Sequence, residues 1–306
     1  MRRTKPTPPL SSERRSIRQR VALSALVLLL LGACSPTAIL NALAPRGGIA
    51  VQRDIAYGDG PRRLLDVYAP TEAMDGARSG APVVVFFYGG GWDTGERAMY
   101  RFVGAALAAR GAVAVIPDYR LFPEVRFPQF MDDAAQATAW AQRHAGTFGG
   151  DGRRVFLMGH SAGAQIAALL ALDRRYLPAV GGDARELAGV IGLAGPYDFL
   201  PLRTEKLKAV FGPEQEWPKS QPINYVSAQA PPMLLATGDD DDTVRPGNTT
   251  RLAARLRAAG RPVSEIVYSG IGHRGIIAAM SGVLSFLAPV GDDIERFLKA
   301  TNGPLG

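Results

Sequence analysis

A run such as Val83-Val84-Val85-Phe86-Phe87-Tyr88 has no polar face to offer water. As a strand it must be covered on both sides. Similar β-rich apolar runs recur at 112–116, 155–158, 190–194, 233–236 and 266–268. Helical patterns separate them. Met99, Phe102, Val103, Ala106 and Leu107 follow i, i+3, i+4, i+7 spacing, and 132–144, 161–172, 246–259 and 276–299 also read as helix, the last broken near Pro289. Strand alternating with helix predicts an α/β fold with a mostly parallel sheet and helices on both faces. At its start, 49–57 and 62–69 flank Tyr57-Gly58-Asp59-Gly60-Pro61, which reads as an antiparallel hairpin at the sheet edge. Residues 197–230 break the rhythm with Pro201, Pro213, Pro218 and Pro222. They read as a short lid-like excursion over the carboxyl edge of the sheet, within one domain spanning 49–300.

The charge balance points to an address, not to nucleic acid. Of 35 Lys/Arg and 28 Asp/Glu, seven of the basic residues and one acidic residue fall within 1–20, leaving 28 against 27 in the rest. The body therefore has no broad basic footprint for DNA or RNA. The basic segment runs into the apolar stretch 21–31 and then Leu31-Gly32-Ala33-Cys34. This is the pattern of a signal peptide over 1–33. Its end resembles the bacterial lipobox, in which the cysteine is lipidated after cleavage. The expected form is a protein held at a membrane of the bacterial cell envelope by a lipid on Cys34, with 34–48 as a tether. Cys34 is the single cysteine, so no intrachain disulfide forms, and one Cys with three His makes a metal cage improbable.

Four strings carry chemistry. Gly159-His160-Ser161-Ala162-Gly163 lies between an expected strand and an expected helix. A tight strand–turn–helix elbow needs small flanking residues and lifts the serine hydroxyl above the sheet. Tyr88-Gly89-Gly90-Gly91-Trp92 follows another strand, and its glycines let backbone N–H groups approach a developing negative charge. Gly238-Asp239-Asp240-Asp241-Asp242-Thr243-Val244 places acids at a strand's carboxyl end, where one can orient a histidine. Gly270-Ile271-Gly272-His273 follows the last strand. Of the other histidines, His144 falls near the end of a helix and His160 is the variable position of the elbow, which leaves His273 as the best general base. The order is serine, acid, histidine.

These residues resemble the α/β-hydrolase superfamily, and more closely its hormone-sensitive-lipase-like and bacterial feruloyl-esterase-like carboxylesterases. The resemblance covers roughly 50–300 and also draws on Asp118-Tyr119-Arg120-Leu121 with Phe127-Pro128 and Asp132. It implies Ser161 as nucleophile, His273 as base and, from the G-x-x-D-x-x-V spacing, Asp241 as the acid, with Asp240 and Asp242 as fallbacks. It implies oxyanion donors at the N–H groups of Gly90, Gly91 and Ala162, and no cofactor or metal. One departure is Tyr88, where the family usually has His. A tyrosine hydroxyl can also hold the glycine loop. The expected activity is hydrolysis of small or medium carboxylic esters. An amidase such as an arylformamidase, a peptidase of the same fold and a non-catalytic binding lipoprotein are the alternatives. Trp92, Tyr119, Phe122, Tyr197 and Phe199 are candidate pocket walls.

Overall fold

The computed structural model describes residues 36–76 and 79–301. The signal segment and Cys34 lie outside the described residues. Eight strands form one sheet in the order β1-β2-β4-β3-β5-β6-β7-β8. They are β1 (Ile49–Ala56), β2 (Leu64–Pro70), β3 (Ala81–Phe87), β4 (Val113–Pro117), β5 (Gly150–His160), β6 (Leu187–Leu193), β7 (Met233–Gly238) and β8 (Val263–Tyr268). β2 runs antiparallel to both β1 and β4, and every other pairing is parallel. The sheet and its helices are those of an α/β-hydrolase.

Strand composition follows position. β4 and β6, inside the sheet, are buried at every residue, whereas the edge strand β1 is largely exposed. Helices α2 (Arg101–Ala108), α3 (Gln129–His144), α4 (Ala162–Leu172), α6 (Gly247–Ala258) and α8 (Val290–Ala300) connect or close the strands. α4 is buried at all eleven positions. A helix apolar on all sides, as here, belongs inside a large core. Its one long polar side chain, Gln165, is bonded at both ends of its amide: Trp92 Nε1 donates to its Oε1 at 3.1 Å and its Nε2 donates to the Ser220 carbonyl at 2.8 Å. A buried amide satisfied in this way ties three segments together.

Strand order decides where chemistry can sit. From β3 the chain moves to β4 on one side, while β5 pairs on the other side of β3. The connections diverge there, which opens a crevice outside the carboxyl ends of β3 and β5. The glycine string follows β3 and Ser161 follows β5, with Phe87 in register with Gly159.

One segment differs from the sequence reading, and two gain detail. Residues 36–42, expected within a tether, form helix α1 (Pro36–Ala42). Asn41 docks it: Nδ2 donates to the Ala98 carbonyl at 2.8 Å and Oδ1 accepts from the Phe102 N–H at 3.0 Å. Of the residues that suggested a tether, Pro36 opens this helix, where a missing N–H costs nothing, and Pro45, Gly47 and Gly48 follow it. The helix expected over 276–299 with a break near Pro289 is two helices, α7 (His273–Ala278) and α8, which starts directly after Pro289, with turns from 279 onward between them. Finally, the 197–230 excursion carries the helix α5 (Glu205–Phe211) and two 3₁₀ segments, Glu214–Ser220 and Pro222–Tyr225.

Candidate active site

Ser161 occupies the turn between β5 and α4 at φ 56° and ψ −124°, a conformation that L side chains rarely adopt. Its N–H donates to the Leu193 carbonyl at 3.0 Å. The flanking glycines are steric requirements. A Cβ on Gly159 would lie 2.1 Å from the Gly163 carbonyl oxygen, and one on Gly163 would lie 2.0 Å from that of Phe87. The spacing of the motif thus records how closely the elbow packs on itself and on the end of β3.

His273 is the first residue of α7, not part of a free loop. Its Nε2 lies 2.9 Å from Ser161 Oγ and its Nδ1 lies 2.8 Å from Asp241 Oδ2. A carboxylate can only accept, so Nδ1 carries the hydrogen and Nε2 is free to accept the serine proton. Asp241 is itself fixed, because its Oδ1 accepts the N–H groups of Thr243 at 3.0 Å and Val244 at 2.8 Å. Its side chain is completely buried. Asp240 and Asp242 are exposed, and Asp239 instead accepts the Gly270 N–H at 2.6 Å. Of the four consecutive acids, Asp241 is the one that touches the histidine.

The glycine string passes directly over the elbow. Gly90 and Gly91 have φ 132° and 60°, and a Cβ on Gly90 would lie 2.2 Å from the Thr94 carbonyl oxygen. The Gly90 carbonyl accepts from the N–H groups of Asp93 and Thr94 and closes the turn. Among the described residues, the N–H groups of Gly90 and Gly91 make no internal hydrogen bond. Ala162 is the first residue of α4, where the helix has no carbonyl for its N–H.

Tyr88 holds this string from below. Its hydroxyl donates to Asp118 Oδ1 and accepts from Arg62 Nη2, both at 2.9 Å. The same Arg62 nitrogen donates to the Gly95 carbonyl at 2.8 Å. Tyr119 Oη donates to the Tyr88 carbonyl at 2.8 Å, and the two rings stack with centroids 4.7 Å apart. Asp118 also pairs with Arg97. Burial raises the Tyr88 phenol well above its usual range, which keeps it protonated and able to donate.

His160, the variable position of the motif, has a place of its own. Its Nε2 lies 2.9 Å from the His273 carbonyl, and the two imidazoles are 4.8 Å apart. Burial, with His273 beside it, lowers the His160 imidazole to about 3. It is therefore neutral, and Nε2–H donates to that carbonyl. Between the unfolded value near 6.5 and the folded value, the unfolded chain binds the extra proton. Stability from this group is complete above pH 6.5 and falls as the pH drops toward 3. By pH 5 the loss is roughly 2 kcal/mol, at about 1.4 kcal/mol per unit. We expect His160→Gln to lose less stability than the parent between pH 7 and pH 5 in urea unfolding. Equal losses would refute the assignment.

Ser161 opens into a cavity of about 760 Å³ walled by Trp92, Phe199, Leu200 and Leu207 among others. Trp92 stacks on Phe199 with centroids 5.9 Å apart. Tyr119 and Tyr197, also expected as walls, are fully buried and absent from the lining, and Phe122, partly buried, is absent from it too. Nothing in the sequence near Tyr197 distinguishes a wall from a core residue. His160 and Gln165 also belong to the site, and in the sequence only their nearness to Ser161 marks them.

Known proteins resemble this chain in sequence and in overall fold. The chain is 31% identical to isoprenylcysteine alpha-carbonyl methylesterase of Arabidopsis thaliana over 73% of its own length and 56% of the relative's. It is 33% identical to esterase LipC of Mycobacterium tuberculosis over 72% and 59%. The chain thus spans just over half the length of these curated relatives. A crystal structure of a thermostable esterase from Pseudomonas putida superposes with a TM-score of 0.67 at 25% identity, covering 91% of this chain and 95% of that one. The BD-FAE family model matches residues 65–256, from the second strand through α6. That stretch includes the glycine string, Ser161 and Asp241. Matching most of the chain, it places this protein in the BD-FAE family of α/β-hydrolases.

Proposed function

We propose that this protein is a serine carboxylesterase acting on small or medium esters. The observation that carries this reading is the chain of hydrogen bonds from Asp241 through His273 to Ser161, which ends at a cavity large enough for a small ester. The relatives, a methylesterase and an esterase, support it.

In this reading Ser161 Oγ attacks the ester carbonyl carbon as His273 Nε2 takes the hydroxyl proton. The carbonyl oxygen becomes an oxyanion, received by the N–H groups of Gly90, Gly91 and Ala162. Losing one such donor costs roughly 3–4 kcal/mol of transition-state stabilisation. Asp241 keeps the imidazole in the correct tautomer and stabilises its cation. The proton passes to the leaving alcohol as the C–O bond breaks. Water, deprotonated by His273, then cleaves the acyl-serine and releases the acid. The excursion 197–230 supplies one wall and leaves the cavity open. We also propose that the protein works at the cell envelope, tethered through Cys34, on esters that diffuse to it.

The test is turnover of p-nitrophenyl esters from acetate to palmitate, with aryl amides and formylated aromatic amines alongside. We expect activity to peak at short chains. A palmitate peak would refute the open-site reading, and a preference for amides would replace the esterase with an amidase.

A further inference from the structure

The cavity in front of Ser161 has an unbalanced charge. Its lining includes Arg203, Arg245 and Arg251 and no Asp or Glu. They come from three separate places: the excursion after β6, the loop after β7, and α6. Two other features set how much of that charge is available. Arg251 Nε pairs with Asp198 Oδ2 at 2.5 Å, which neutralises it, and nearby Lys206 pairs with Asp93 Oδ2 at 2.5 Å. Arg203 and Arg245 are exposed and have no ion pair among the described residues. A guanidinium stays charged at any working pH. The first turn of α6, which contributes Asn248 to the lining, holds no acidic residue to offset the positive end of its helix dipole.

We infer that the site selects esters that carry a carboxylate in addition to the scissile bond, with Arg203 and Arg245 receiving that carboxylate. This rests on the hydrolase reading of Ser161 and adds a substrate class to it. The walls support the combination, because Trp92, Phe199, Leu200 and Leu207 provide an apolar bed while the two arginines provide a cationic rim. An exposed Arg–carboxylate contact is worth a factor of about three, so two together multiply to about tenfold. The effect falls mainly on KM and weakens with salt, since exposed charges are screened over about 10 Å at 0.1 M.

The experiment uses two matched pairs that differ only in charge. Monomethyl glutarate against methyl 4-carbamoylbutanoate places the carboxylate on the acyl side. Acetoxybenzoate against acetoxybenzamide, both para-substituted, places it on the leaving-group side. The expected result is a kcat/KM ratio of about ten in favour of the anion in at least one pair, falling toward one in 0.5 M NaCl and in Arg203→Gln/Arg245→Gln. The ratio is the readout, so a general loss of activity in the variant cancels. A ratio near or below one in the parent, or one that persists in the double variant, would overturn the inference and leave the esterase reading intact. If none of the four esters shows Ser161-dependent turnover, the hydrolase reading fails, and the inference fails with it.

Discussion

Ser161→Ala is expected to lower kcat by roughly 10⁴- to 10⁶-fold on any ester the protein turns over, with its unfolding midpoint nearly unchanged. The size follows from what is removed. Without Oγ there is no atom to form the acyl intermediate, and the hydrogen bond to His273 Nε2 at 2.9 Å is lost with it. The oxyanion donors and the cavity remain, so residual catalysis above water is also expected. Stability is a separate matter, because the backbone at 161 is held at φ 56° whatever the side chain. Ser161→Gly separates the two. Glycine adopts that conformation without steric cost, although it gives the unfolded chain more freedom. We expect the glycine variant to be as inactive as the alanine variant but more stable than it by about 1 kcal/mol, or roughly 2–4 °C. Paired calorimetry and initial-rate assays check both statements. Activity surviving in Ser161→Ala would remove Ser161 from the mechanism. A glycine variant less stable than the alanine variant would mean that the elbow stores no strain.

The parts of this fold that were legible in the sequence are those set by short-range pattern. β3 and β7 announce themselves because residues buried on both faces leave no polar gaps in the sequence. The elbow is legible for a related reason: a glycine two residues either side of the serine reflects contacts within a few residues and with β3. Where a role depends on a distant partner, local pattern gave less. Residues 36–42 read as a tether because they start at Pro36 and run into Pro45, Gly47 and Gly48, yet Asn41 is fixed by Ala98 and Phe102, far along the chain. His273 follows two glycines, which give no sign of a helix, yet α7 begins at the histidine itself. Tyr119 and Trp92 are both aromatic and both close to a motif. Tyr119 turns inward to the Tyr88 carbonyl, whereas Trp92 reaches the cavity with its Nε1 held by Gln165, so the facing of each is tied to a partner distant in sequence. His160 is the sharpest case. It occupies a position that the motif leaves free, and its role comes from the carbonyl of a residue on another element.

The same distinction makes the four consecutive aspartates a demanding test. Asp241→Asn is expected to lower kcat by roughly 10³- to 10⁴-fold, and Asp240→Asn and Asp242→Asn to stay within about twofold, since both are exposed. The reason lies in how many donors converge on one carboxylate. Asp241 accepts from Thr243 N–H, Val244 N–H and His273 Nδ1–H, three donors on two oxygens. Asparagine offers one oxygen and one amide nitrogen. If the oxygen turns to the two backbone N–H groups, the NH₂ faces His273 Nδ1. The imidazole must then place its hydrogen on Nε2, where it can no longer accept the Ser161 proton. If the oxygen instead turns to His273, the NH₂ meets two N–H donors inside a buried loop, leaving polar groups unpaired at about 1–3 kcal/mol each. The first arrangement loses turnover and keeps stability, while the second keeps the tautomer and loses stability. Neither supplies the negative charge that steadies the imidazolium. The variant should therefore bind substrate with a KM near that of the parent while kcat falls, and activity should not recover at higher pH, because the missing charge belongs to residue 241 and not to a titrating neighbour. An equal loss in Asp242→Asn, or a parent-like kcat in Asp241→Asn, would assign the acid elsewhere.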